Sequence, residues 1–200
     1  MISIPTLPLL GILSSTLASI RLSAVKSGQV RFMASETLTG GCACGQVRYT
    51  MVNDPLIVHV CHCTDCQRLT GSSFAVNFWT EAANLQIEMG HLHVAELVGG
   101  SGRSHRVHFC SNCSVAIYSH YTSPRTVFVK CGTLDDTKIV KPDVHIWTQS
   151  KVPWLNLTSS EIPVFSQYYN MKDVWSSESL ERFHALRSGS KKESEPESKL

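Results

Sequence analysis

Seven of the eight cysteines stand in three tight clusters: Cys42 with Cys44, then Cys61, Cys63 and Cys66, then Cys110 with Cys113. Zinc takes four ligands in a tetrahedron with sulfur at about 2.3 Å, and a cysteine pair on a tight turn supplies half of one. The stretches Gly41-Cys42-Ala43-Cys44-Gly45 and Phe109-Cys110-Ser111-Asn112-Cys113 are such halves, and their glycine or small polar neighbours let backbone amides turn toward sulfur. Joined, they make one closed structural site held by four thiolates. Any fold open to this chain must therefore bring two segments far apart in sequence into contact.

The middle cluster has a different character. Val60-Cys61-His62-Cys63-Thr64-Asp65-Cys66-Gln67 offers three thiolates and no obvious fourth ligand nearby in sequence. Three protein ligands leave one coordination position open, which is how a catalytic zinc differs from a structural one. Water or the sulfur of a thiol substrate fits that position, and a coordinating thiol loses its proton outright. Two ions are thus expected, one structural and one catalytic. The cluster is alternatively a second structural site, completed by His62, His59 or the distant Cys131. Disulfides are the third option; they suit a shorter, secreted chain, and C-x-C spacing is awkward for their geometry.

With 200 residues, 42% of them hydrophobic, the chain is long enough for one main soluble domain with a real core. A net charge of +2 gives no broad basic face for nucleic acid, which leaves a small molecule as the expected ligand. Residues 1–34 hold no acidic residue and carry Arg21, Lys26 and Arg31 among serines and leucines. They suit a targeting leader, or an upstream extension of the gene model ahead of Met33. Pro5, Pro8 and the missing basic n-region argue against a membrane span or a secretory signal.

Residues 35–170 are the expected zinc-binding domain, 171–187 a short helix and 188–200 a polar, disordered tail. The tail ends in Ser198-Lys199-Leu200, a peroxisomal address. The expected partner there is the peroxisomal import receptor and the expected compartment the peroxisome, with cytoplasm or mitochondrion as alternatives. The sequons Asn112-Cys113-Ser114 and Asn156-Leu157-Thr158 would matter only in a secreted chain and read as accidental.

Within the domain, alternation over 46–52 suggests a half-buried strand, broken at Asn53-Asp54-Pro55. A second strand over 56–60 ends on the middle cysteines, and a third runs over 73–79, with a short loop or helical turn over 66–71 between them. Further strands are expected over 85–88, 91–97, 106–110, 115–119 and 126–131, punctuated by Gly90, Gly99-Gly100, Gly102 and Pro124. Short strands at this spacing predict an all-β domain. Helical periodicity is clear only at Leu180, Phe183 and Leu186, behind Ser176 and Ser177 as caps.

Two stretches have the composition of a ligand site. Residues 102–109 suit an anion cradle, but alternation explains the same charges as a strand with Arg106 and His108 toward water and Val107 and Phe109 toward the core. In residues 142–155, His145, Trp147, Lys151 and Trp154 suit a pocket mouth, with core burial of both tryptophans as the alternative.

Taken in order, Gly41-Cys42-Ala43-Cys44-Gly45 with Arg48-Tyr49, Cys61-His62-Cys63-Thr64-Asp65-Cys66, Phe109-Cys110-Ser111-Asn112-Cys113, Gly132-Thr133-Leu134-Asp135, His145-Ile146-Trp147 and Pro153-Trp154-Leu155 closely resemble one family. It is the glutathione-dependent formaldehyde-activating enzyme family, also represented by centromere protein V. The resemblance implies a domain of several coiled β-sheets with two zinc ions. It places Cys42, Cys44, Cys110 and Cys113 on the structural ion, and Cys61, Cys63 and Cys66 on the catalytic one. It further implies condensation of glutathione with formaldehyde to S-hydroxymethylglutathione, a carbon–sulfur lyase reaction in reverse. Ser114 stands where the family commonly has glycine after the second C-x-x-C cysteine, which removes no ligand.

The expected activity is that of a zinc-dependent carbon–sulfur lyase that joins or splits a thiol, glutathione or similar, and a small aldehyde such as formaldehyde. The metal would generate and orient the sulfur nucleophile. Proton transfer needs a group poised near neutral pH, and His62, Asp65 and His145 are the candidates. The alternative is a noncatalytic, zinc-stabilised protein-interaction module with both ions structural. An open middle site facing a cavity with His145 or Trp147 would mark the enzyme, and a closed site on a convex surface the module. A thioredoxin-like role for Cys110 and Cys113 lacks a βαβ setting. Sites grafted on one fold serve different chemistries, so the specific thiol and aldehyde stay open.

Overall fold

The alternation over 46–52 sends Val47, Tyr49 and Met51 to one face, where none is more than 1% exposed. The structure is a computed structural model that describes residues 37–121 and 123–192, without the side chains of 189–192. In chain order the elements are β1 (Leu38–Gly41), β2 (Arg48–Met51), β3 (Ile57–Cys61), α1 (Thr64–Thr70), β4 (Ala75–Glu81), β5 (Leu85–Met89), β6 (Leu92–Val98), β7 (Ser104–Cys110), β8 (Ala116–His120), β9 (Thr126–Lys130), β10 (Val144–Ile146), α2 (Met171–Val174) and α3 (Ser177–Lys192).

Two sheets result. The smaller is three-stranded, ordered β1-β2-β5, and the larger is seven-stranded, ordered β10-β3-β4-β9-β8-β7-β6. Neighbours pair antiparallel throughout except β10, which reaches β3 by a crossover and lies parallel to it. The large sheet is covered on both faces over its central strands. On one side Leu38, Tyr49 and Met51 pack with Val58, Phe78, Ile117 and Val129. On the other, Leu56, Ile57, Trp79, Val144 and Ile146 pack with Tyr169 and Trp175. Double coverage is why residues 56–60 read as a nearly continuous apolar run rather than an alternating one. Each large side chain fully buried in this way contributes about 1.5–3 kcal/mol.

The residues joining the two sheets are those of the family-like motifs. The Tyr49 hydroxyl lies 2.8 Å from Thr133 Oγ1, and Arg48 pairs with Asp135. Gly40 is required beneath them, because a Cβ there would overlap the Tyr49 phenol and the Thr133 carbonyl.

The all-β expectation is corrected by the helices: this is a mixed α/β single domain dominated by two β-sheets, with a C-terminal helix. Residues 64–70 are a full helix because Cys63 caps its N-terminus, its sulfur accepting the Cys66 N–H, and Gly71 ends it in the left-handed conformation. The helix expected over 171–187 is two pieces, α2 and α3, and α3 extends to Lys192. It docks on Trp79, whose ring meets Trp175 at 5.0 Å and Phe183 at 5.6 Å. The leader expected over 1–34 and the Ser198-Lys199-Leu200 address lie outside the described residues. Among the described residues no helix is long and apolar enough to cross a membrane.

Candidate metal centres

β1 ends at Gly41 and β7 at Cys110, so the first two half-sites hang from different sheets. Each folds into a tight turn by its own backbone bonds. Gly45 N–H reaches the Cys42 carbonyl at 3.0 Å, Ser114 N–H reaches the Cys110 carbonyl at 3.0 Å, and Val47 N–H donates to Cys42 Sγ at 3.2 Å. The four sulfurs of Cys42, Cys44, Cys110 and Cys113 lie within 4.8 Å of one another, with Cys42 to Cys44 at 3.3 Å and Cys44 to Cys110 at 3.8 Å. A tetrahedron with zinc–sulfur bonds of about 2.3 Å has edges of about 3.8 Å, so the donor set fits that ion. The amide of Asn112 and the Gln46 backbone N–H hold the Cys44 thiol down at about 6, where it readily gives a thiolate. Disulfides are excluded by these separations, and all eight cysteines are free.

The middle cluster forms at the junction of β3 and α1. Strand alternation turns Cys61 and Cys63 to one side and His62 to the other, while Cys66 follows Cys63 by one helical turn. The three sulfurs lie within 4.8 Å of one another, and Cys61 donates to Cys63 at 3.5 Å. That bond, a second from Cys66 and backbone N–H donation lower the Cys63 thiol to about 2, while the bond to Cys63 pushes Cys61 up. Cys61 and Cys66 are each 5% exposed, but Cys63 is only half-buried, so the cluster opens at Cys63. Among the described residues no histidine, further cysteine or carboxylate joins the trio within that distance.

The three residues considered as a fourth ligand are engaged elsewhere or lie outside the group. His59 Nε2 meets the Tyr169 hydroxyl at 2.6 Å, and His62 Nε2 meets His145 Nδ1 at 2.9 Å. Cys131 is buried, and burial pushes its thiol up to about 12. Of the residues expected in proton transfer, His62 and His145 are thus brought together, behind the cysteine face. Asp65 is turned the other way, accepting the Gly100 N–H at 2.8 Å and tying α1 to the turn after β6.

The two tryptophans part company. Trp147 packs against the second core, whereas Trp154 is 71% exposed. Along β7, Arg106 faces water and Val107 is fully buried, as alternation predicts, but a bulge at His108/Phe109 leaves both of those half-buried. The buried polar residue is instead His105, 4% exposed, its ring stacked on Tyr121 at 4.1 Å and its Nε2 without a partner among the described residues. Burial lowers His105 to about 4, and its electrostatic neighbours include Lys130, Asp65 and Cys63. Lys130 itself is buried, bonded to Asn77 Oδ1 at 2.8 Å and coupled to the Cys66, Cys61 and Cys63 sulfurs. Neither Lys130 nor Tyr121 stood out in the sequence. The one available signal was a lysine closing the apolar run Val127-Phe128-Val129 directly before Cys131.

A profile of the family described as "Glutathione-dependent formaldehyde-activating enzyme" matches residues 37–150. A curated protein of Halomonas elongata, named "Putative glutathione-dependent formaldehyde-activating enzyme", is 29% identical over 131 residues, covering 62% of this chain and 83% of its own length. A solved structure of a Rhodobacter sphaeroides protein is 18% identical and overlaps 63% of this chain and 98% of that one, with a TM-score of 0.39.

Proposed function

The chain belongs to the glutathione-dependent formaldehyde-activating enzyme family, and on that premise we propose that it is a zinc-dependent carbon–sulfur lyase acting on a thiol and a small aldehyde. The single observation that carries this is the trio Cys61, Cys63 and Cys66, three converging sulfurs open at Cys63 with no fourth protein ligand among the described residues. A zinc ion held there supplies Lewis acidity that lowers the pKa of a coordinated thiol. The four-sulfur set of Cys42, Cys44, Cys110 and Cys113 would hold the structural ion, because it is closed and joins the two sheets.

The chain's own residues then have divided tasks. Cys63, as the N-cap of α1, keeps the trio converged, since any shift of the helix start moves Cys66 with it. Asp65 is a positioning residue that fixes α1 against the turn after β6. The His62–His145 pair is the acid–base candidate: between Nε2 and Nδ1 only one nitrogen donates, so one proton is shared across the 2.9 Å contact. Tyr121, stacked on His105, walls the trio with apolar surface and keeps water from a reactive aldehyde.

Metal analysis of the wild type beside Cys63→Ser, with a glutathione-dependent assay for loss of formaldehyde, tests this. One zinc lost and activity abolished is the expected outcome. Both ions retained, or undiminished activity, would leave only a zinc-stabilised binding module.

A further inference from the structure

Building on the proposed function, we infer that Lys130, oriented by Asn77, is the buried cation that offsets the sulfur anion of a thiol ligand at the open side of Cys61, Cys63 and Cys66. His59, Asn77 and Lys130 face one another across three adjacent strands, in register His59↔Asn77 and Asn77↔Lys130. They are 1%, 6% and 7% exposed, so a buried polar row crosses β3, β4 and β9. Such a row needs a reason. Replacing a buried charge with a well-packed apolar side chain is often neutral or stabilising, and leaving it unpaired is costly.

Lys130 is short of partners. An ammonium has three donors, and among the described residues the one hydrogen bond of Nζ is to Asn77 Oδ1 at 2.8 Å. No carboxylate pairs with it among those residues. Burial lowers Lys130 from the ordinary lysine value, and the sulfurs that oppose this and favour its charged form are Cys66, Cys61, Cys131 and Cys63, in that order. The titratable groups around it are therefore Cys61 from β3, Cys63 capping α1, Cys66 within α1, Cys131 next in its own chain, and His105 from β7, with His59 further along the row.

Charge counting explains the arrangement. Three thiolates around a divalent cation leave one net negative charge, and a thiol that binds as its anion, releasing its proton to solvent, adds another. A buried double negative charge is expensive, and one ammonium within electrostatic reach removes half of it. Lys130 is thus a positioning residue for the ligand's ionisation state, with no part in holding metal. The stacked rings of His105 and Tyr121 strengthen its effect by excluding water from the same wall.

The test uses the full chain with cobalt(II) in place of zinc, titrated with reduced glutathione across neutral pH. The sulfur-to-cobalt charge-transfer band and the protons released are recorded for wild type, Lys130→Met and Asn77→Asp. Lys130→Met should keep both ions, raise the apparent pKa of the bound thiol by about one unit and weaken binding near neutral pH about tenfold. Asn77→Asp pairs the lysine internally and should move the pKa in the same direction, which settles the matter if Lys130→Met loses metal. Unchanged pKa and affinity in either metal-loaded variant would overturn the role of Lys130 alone. No spectral response to glutathione in the wild type would instead sink the lyase function together with it.

Discussion

His62 Nε2 lies 2.9 Å from His145 Nδ1, a contact that ties the residue between two cluster cysteines to β10, the one parallel neighbour of β3. His62 is fully buried and its Nδ1 has no partner among the described residues, so among them this contact is the hydrogen bond that satisfies its ring. If the pair handles the proton, His145→Gln should cut kcat by about 10²–10⁴-fold with both ions retained. A loss confined to thermal stability, of about 1–3 kcal/mol for the exposed bonding deficit, would make the pair purely structural. Steady-state kinetics beside a melting curve separates the two.

The two cysteine groups should fail differently. Cys110→Ser removes one sulfur from the four-sulfur set that bridges two sheets; if that set holds the structural ion, the substitution is expected to release the ion and lower the melting temperature sharply. Cys63→Ser, at the open side of the trio, should abolish glutathione-dependent loss of formaldehyde with a smaller effect on the fold. Metal content per chain and melting temperature, measured on the same samples, check the contrast.

Ser114 follows Cys113 with φ at 59°, in the left-handed region that disfavours a side chain. A non-glycine residue there leaves backbone strain in the turn that closes the Cys110–Cys113 half-site. Ser114→Gly should stabilise the protein by about 0.5–1 kcal/mol, read as a raised chemical-denaturation midpoint at unchanged metal content.

Arg182 anchors α3 by donating from Nε to Glu81 Oε1 at 2.8 Å and from Nη2 to Oε2 at 2.6 Å and to the Asp54 carbonyl at 2.9 Å. Burial alone would raise the Glu81 carboxyl, but the Arg182 bonds outweigh it and hold it below its ordinary value. A depressed carboxyl contributes stability that is full above its unfolded value near 4.5 and is lost as pH falls through the folded one. Acid denaturation should therefore begin with release of α3, and Arg182→Met should remove this component of the pH dependence while costing about 1–3 kcal/mol. Limited proteolysis at stepped pH follows the helix directly.

His105 supplies a second pH-dependent component of the same sign. Its ring is held near 4 chiefly by burial against Tyr121, so the folded state favours the neutral form. Stability is full above the ordinary histidine value of 6.5 and declines as pH falls from there toward about 4. His105→Phe should flatten the melting-temperature profile across that window.

Much of this molecule was legible in the chain. The cysteine groups are local: spacings of two and three residues on turns and at a helix start converge sulfurs whatever surrounds them, so Cys61, Cys63 and Cys66 were legible as one group. Most strands were legible, the half-buried ones from alternation and residues 56–60 from a continuous apolar run, but β1 and β10 were not, because four and three residues are too few to show a period. The helix over 64–70 was not, since its start depends on a sulfur acting as an N-cap, a role sequence patterns assign to oxygen.

The amino-acid order alone thus determined which side chains could hold metal, because ligand spacing is a property of a few consecutive residues. Only the tertiary structure decided which groups come within electrostatic reach of the trio, because His105, Tyr121 and Lys130 come from separate strands and loops. Their proximity depends on strand order and on burial of both sheet faces, and neither is written in any local run of sequence.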